Sequence, residues 1–90
     1  MFLAKVIGNV VSTTKDERLI GCKLLIIKKI NELGETLEDT LVAVDTVGAG
    51  NGEIVLVITG STARLMADDN SAPIDASIVG IVDSIEVSKY

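Results

Sequence analysis

Gly48-Ala49-Gly50-Asn51-Gly52 places three glycines within five residues, between two short apolar runs. No stretch constrains the fold of this chain more tightly. None of its side chains is catalytic, so the glycines need a geometric reason. Glycine reaches positive φ and lets one backbone approach another closely, which other residues do only at a cost. The loop lacks the Lys-Ser/Thr ending of a phosphate-binding loop. Glu53 stands where a dinucleotide fingerprint carries its third glycine, and a strand pattern rather than a helix follows. A tight turn between strands and a close approach to another backbone are the readings left open.

Valine, isoleucine and threonine are abundant and turn signals recur at short intervals, as in an all-β domain. Phe2 to Ser12 is predicted as the first strand, with Phe2, Ala4, Val6, Gly8 and Val10 on one face. Lys15-Asp16-Glu17-Arg18 is a charged loop. Cys22 to Ile30, Leu37 to Val44, Glu53 to Thr59 and Ile78 to Ser88 supply the remaining strands. Asn31-Glu32-Leu33-Gly34 forms the hairpin turn between the second and third. Ser61 or Thr62 caps a short helix over 63–67, stopped by Asp68-Asp69-Asn70, and Pro73 opens a second turn or short helix.

Gly8 and Gly80 interrupt the related strings Val6-Ile7-Gly8-Asn9-Val10 and Ile78-Val79-Gly80-Ile81-Val82. Glycine inside a strand marks a bend or a close backbone approach. Both are therefore expected to bend the first and last strands of a small closed barrel. The expectation is one domain over residues 1–90, a five-stranded β-barrel with one or two short helices between strands four and five. The residues alone do not separate one compact barrel from another.

A domain of 90 residues hides only roughly 60–65% of the surface its unfolded chain exposes. Yet 48% of the residues are hydrophobic, and Leu24 to Ile27 are apolar on both faces of the second strand. The surplus belongs between subunits, because obligate interfaces resemble a domain core cut in half. The longest apolar run, Ile54 to Ile58, is far short of the roughly 20 residues of a membrane helix. No basic segment precedes an apolar core at the N-terminus, so no secretory signal is expected. Cys22, the single cysteine, excludes an internal disulfide, fits a reducing cytoplasm and reads as a small apolar strand residue.

Histidine is absent, which removes the usual general base near neutral pH and the commonest metal ligand. One cysteine without histidine makes neither a Cys-His pair nor a familiar zinc site. Asp68-Asp69 and Asp16-Glu17 lie in polar turns as solvated charges. No catalytic, cofactor-binding or metal-ligating residue is assigned. The net charge is −5 and Lys28-Lys29 is the only adjacent basic pair, against a nucleic-acid partner. Phe2 and Tyr90, the only aromatics, sit at opposite ends and make no stacking platform.

Four motifs in order carry a family resemblance. They are Met1-Phe2-Leu3-Ala4-Lys5-Val6-Ile7-Gly8-Asn9-Val10-Val11-Ser12-Thr13, Asp45-Thr46-Val47-Gly48-Ala49-Gly50-Asn51-Gly52, Gly60-Ser61-Thr62-Ala63-Arg64 and Ala72-Pro73-Ile74-Asp75-Ala76-Ser77-Ile78-Val79-Gly80-Ile81-Val82-Asp83. Together they span nearly the whole chain, which resembles the EutN/CcmL family of pentameric vertex proteins from bacterial microcompartment shells. The resemblance implies an OB-like barrel in a cyclic homopentamer, a structural rather than enzymatic role, and no cofactor. It implies a cytoplasmic shell, with hexameric shell proteins as partners and neither nucleic acid nor membrane. Gly48, Ala49, Gly50 and Asn51 would then lie toward the fivefold axis. Arg64 would contact a carboxylate of its own or a neighbouring subunit, with Asp75 as candidate; alternatively Arg64 is solvated and Asp75 caps a turn. The chain ends soon after the fifth strand, without the extension of the carboxysomal branch, which points to a catabolic metabolosome. The rival is an OB-like barrel binding oligonucleotide or oligosaccharide.

Overall fold

A computed structural model describes residues 1–13, 16–60 and 75–88 of the chain. The strands are β1 (Phe2–Val10), β2 (Lys23–Ile30), β3 (Thr36–Asp45), β4 (Ile54–Thr59) and β5 (Ala76–Val82). They close into a barrel in the order β1-β2-β3-β5-β4, which is the OB-type arrangement. The helices expected over 63–67 and after Pro73 lie outside the described residues. Among the described residues no helix is long and apolar enough to cross a membrane.

Side chains alternate across a strand, so every second residue enters the barrel. Ala4 and Val6, Leu25 and Ile27, Ala43, Val55 and Val57, and Ala76 and Ile78 form the buried core. Fully burying a Val or Ile side chain contributes about 1.5–3 kcal/mol, so these alternating positions carry the barrel. Val44 and Ile58 start a second cluster on the outside, because they alternate with the inward Ala43 and Val57. Leu19, Cys22, Leu24 and Val79 pack against them. The segment before β2 brings Leu19 there through a short 3-10 turn over Glu17–Leu19, where the Asp16 side chain accepts from the Arg18 N–H. Cys22 is half-buried, in keeping with its reading as a small apolar residue, although it precedes the strand rather than opening it.

Both strand glycines sit at bulges. In the β1/β2 ladder Val6 faces Ile27 and Gly8 faces Ile26, leaving Ile7 as the extra residue. In β4/β5, Leu56 faces Gly80 and Val57 faces Ile78, leaving Val79 extra. A bulge bends its strand and raises the local twist, so the expected bends take this form. The first bulge also corrects the predicted face of β1. An extra residue shifts the period-two alternation by one, as a register slip does. Gly8 and Val10 therefore pair with the outward Ile26 and Leu24, while Asn9 pairs with the inward Leu25.

β5 covers Ala76–Val82 rather than Ile78 to Ser88. Its ladder starts earlier because Ala76 and Ser77 pair with Thr59 and Ile58, and it stops where β4 begins, at Ile54 opposite Val82. Ile85 and Val87 keep a strand-like alternation with no strand paired to them among the described residues. β3 meets β5 only through Val44↔Ser77 and Asp45↔Ile78. From Thr36 to Ala43 its outer edge has no ladder partner among the described residues. An open edge of this kind is a ready template for association.

Candidate functional site

The loop from β3 to β4 closes one mouth of the barrel, and every anchor that holds it can be named. At the end of β3 the buried Asp45 turns its carboxylate onto the loop: Oδ1 accepts from the N–H groups of Val47 and Gly48, both at 3.1 Å. Aspartate favours this because its short side chain reaches amides two and three residues on. Lys23, across the barrel wall, donates from Nζ to the Ala49 carbonyl at 2.8 Å and lies 3.6 Å from Asp45 Oδ2. Thr46 Oγ1 donates to the Ile78 carbonyl at 2.7 Å, tying the loop to β5.

Ala49 has no exposed surface and belongs to the barrel core. The loop thus dips inward and plugs the mouth with a methyl group. Further along, Gly50 N–H donates to Glu53 Oε1 at 2.6 Å. Gly52 N–H donates to the Val6 carbonyl at 2.8 Å, and Val6 N–H donates to the Glu53 carbonyl at 2.9 Å. These bonds continue the β1/β4 ladder past Ile54 and leave Asn51 exposed at the tip.

The glycines divide by cause. Gly48 and Gly52 have φ of +82° and +88°, where a Cβ is costly. Gly50 is outside the left-handed region, and a Cβ there would meet only Glu53 Oε1, at 3.2 Å. Two of the three are therefore required by backbone geometry, and the third is not.

The four loop positions singled out by the sequence, Gly48, Ala49, Gly50 and Asn51, come together in one rigid feature. Arg64 lies outside the described residues, and so does any contact it makes with Asp75. Asp75 is exposed, and its carbonyl accepts from Gly60 N–H at 2.9 Å. Sequence reasoning missed Asp45, Lys23 and Glu53 as anchors. Asp45 had a signal, an aspartate three residues ahead of a glycine. Lys23 had none, being 26 residues from its acceptor.

A recess of about 200 Å³ lies between Asn9, Lys23 and Gly50. Among the described residues no group of three His, Cys, Asp or Glu is placed to hold a metal ion. In the loop before β2, hydrogen bonds from the Arg18 side chain and backbone hold the exposed Asp16 carboxyl below its ordinary pKa. That pair is remote from the plug in the chain and gives no reason to expect proton transfer.

The family model described as "Ethanolamine utilisation protein EutN/carboxysome" matches residues 1–83. The chain belongs to the EutN/CcmL family. It is 54% identical over 86 residues to the bacterial microcompartment shell vertex protein GrpN of Rhodospirillum rubrum, covering 96% of this chain and 97% of that one. It is 46% identical over 90 residues to the carboxysome shell vertex protein CcmL of Thermosynechococcus vestitus, covering 100% and 91%. The solved GrpN pentameric microcompartment shell protein from Rhodospirillum rubrum superposes with a TM-score of 0.90 at 52% identity, over 98% of this chain and 100% of that one. This EutN/CcmL chain is accordingly a microcompartment shell vertex protein, a cytoplasmic structural component and not an enzyme.

Replacing Gly52 by Ala in this EutN/CcmL chain is expected to destabilise the fold by about 1–2 kcal/mol, the cost of a left-handed L-residue. Gly50→Ala should cost clearly less. Chemical denaturation of the two variants at one protomer concentration checks the ordering.

Proposed function

We propose that the chain assembles as a cyclic homopentamer that closes a fivefold vertex of an icosahedral microcompartment shell, residues 1–90 acting as one vertex domain. The observation that carries this reading is the match, over nearly both full lengths, to a solved shell protein described as pentameric. The mechanism is geometric. Hexagonal tiles pave a plane, and a fivefold insertion supplies the curvature that lets the sheet close. A head-to-tail contact repeated around a ring closes only when its rotation suits the copy number. Hexameric shell proteins are the partners such a vertex meets at its rim.

In the ring, the plugged barrel mouth faces the axis, with Gly48 to Asn51 of each copy converging there. The features that favour this are the loop's small side chains and its fixed backbone, which hold five tips close together without collision. The catabolic metabolosome reading draws support from the 54% identity to GrpN, set beside 48% to PduN and 39% to EutN and 41–48% to the carboxysomal CcmL proteins.

Native mass spectrometry of the purified chain should give a mass five times that of the protomer. A monomer at every concentration sampled would overturn the ring. Gly50→Trp, with five indoles brought to one axis, should lower the pentamer fraction or close the axial opening in an electron-microscopy reconstruction. An intact ring with an unchanged opening would remove the loop from the axis.

A further inference from the structure

A groove of about 400 Å³ lies between the tip of the β2–β3 hairpin and the segment that follows β5. Leu33 from the hairpin, Ile54 from the start of β4, and Val82, Ile85 and Val87 give it an apolar surface. None of these residues belongs to either core cluster. Leu33 is 70% exposed and Val87 48%. The groove also accounts for an alternation that no described ladder explains. Ile85 and Val87 line it, whereas Glu86 between them does not and is exposed. Period-two spacing turns alternate side chains of an extended chain to one side, so this segment can line a groove without pairing to a strand.

The charged part of the lining is acidic. Glu32 and Asp83 are both exposed, and neither makes an ion pair among the described residues. Glu35 and Glu86 follow lining residues directly in the chain. Lysine and arginine are missing from the lining; Lys5 faces Ile54 from β1 but takes no part in it. The groove therefore combines an apolar surface with two carboxylates that no described cation balances.

We propose that this groove docks a short segment of a second protein that carries an apolar side chain flanked by lysine or arginine. The inference goes beyond the vertex role and stands on the protomer, whatever its copy number. Burying the apolar side chain against Leu33 and Val87 supplies the affinity. The flanking cations meet Glu32 and Asp83, which fixes the orientation and selects against acidic partners. Nucleic acid and anionic surfaces are repelled by the same carboxylates. A second copy of this chain brings a like net charge of −5, so a basic segment is the better complement.

The probe is a short fluorescent peptide of alternating lysine and leucine, titrated into the full chain in its native assembly and followed by anisotropy. Binding should saturate and should weaken as sodium chloride is raised. Glu32→Gln combined with Asp83→Asn should weaken it about tenfold or more, and so should Leu33→Ser, which leaves the charge unchanged. Glu17→Gln combined with Glu38→Gln removes the same charge outside the groove and should change affinity by less than about twofold. In methyl NMR spectra of the labelled chain, the shifts should centre on Leu33, Ile85 and Val87. Circular dichroism and native mass spectrometry check that each variant keeps the fold and assembly of the unaltered chain, with Val87→Ser replacing Leu33→Ser if it does not. An equal loss in the Glu17 and Glu38 variant would show a general attraction of cations to an acidic protein and overturn the site. So would binding that the groove variants leave unchanged, or equal affinity for a peptide with glutamate in place of lysine. Methyl signals of the groove that stay still, as when a neighbouring copy already fills it, would overturn it too.

Discussion

A five-stranded barrel encloses one residue in two along each strand, and every other feature follows from how the chain treats the remainder. The inner set is small and branched: Ala4, Val6, Ile27, Val55, Val57 and Ile78 fill the interior with almost no exposed surface. Close packing of this kind tolerates neither a void nor a bulkier side chain without loss. The outer set is not uniformly polar. Part of it, around Val44 and Ile58, is covered by the chain's own segment before β2. The rest has no cover among the described residues. In the proposed ring a neighbouring copy covers it.

The glycine loop links that packing problem to the assembly. It plugs the barrel with Ala49 and is fastened by Asp45, Lys23, Thr46 and the backbone of Val6. The Asp45 carboxylate is buried: Oδ1 is bonded to the loop amides, while Oδ2 makes no hydrogen bond among the described residues and has only the Lys23 ammonium near it, at 3.6 Å. The Lys23 and Asp45 side chains spend their charge on backbone carbonyls and amides, not on chemistry. The outcome is a short, stiff tip of small residues at one end of the barrel. A structural protein has use for such a tip where several copies converge, since mobile or bulky loops would blur the geometry of closure.

Much of this was legible from the residues. Strand number, the hairpin at 31–34, the shared face of Ala4 and Val6, and the bends near Gly8 and Gly80 all follow from alternation and turn chemistry, whereas Leu24 to Ile27, apolar on both faces, did not say which pair turns inward. The failures have identifiable causes. The face of Gly8 and Val10 was misplaced because a bulge shifts the alternation by one, and nothing in Val6-Ile7-Gly8 says which residue is extra. The end of β5 was misplaced because Ile85 and Val87 alternate like a strand, while a strand also needs a neighbour to bond. Lys23 escaped notice because its acceptor is brought near only by closure of the barrel. The family resemblance supplied what local pattern could not, namely the fivefold ring proposed for this chain.

The central claim is that apolar surface, not charge, holds the copies together. Five chains of net charge −5 carry −25 between them, so their long-range electrostatics oppose association and weaken as salt shortens the screening length. Sedimentation velocity of the unaltered chain over a series of sodium chloride concentrations tests this most directly. The account predicts that the pentamer fraction holds or rises as salt increases. A ring that comes apart steadily into protomers as salt is added would contradict it.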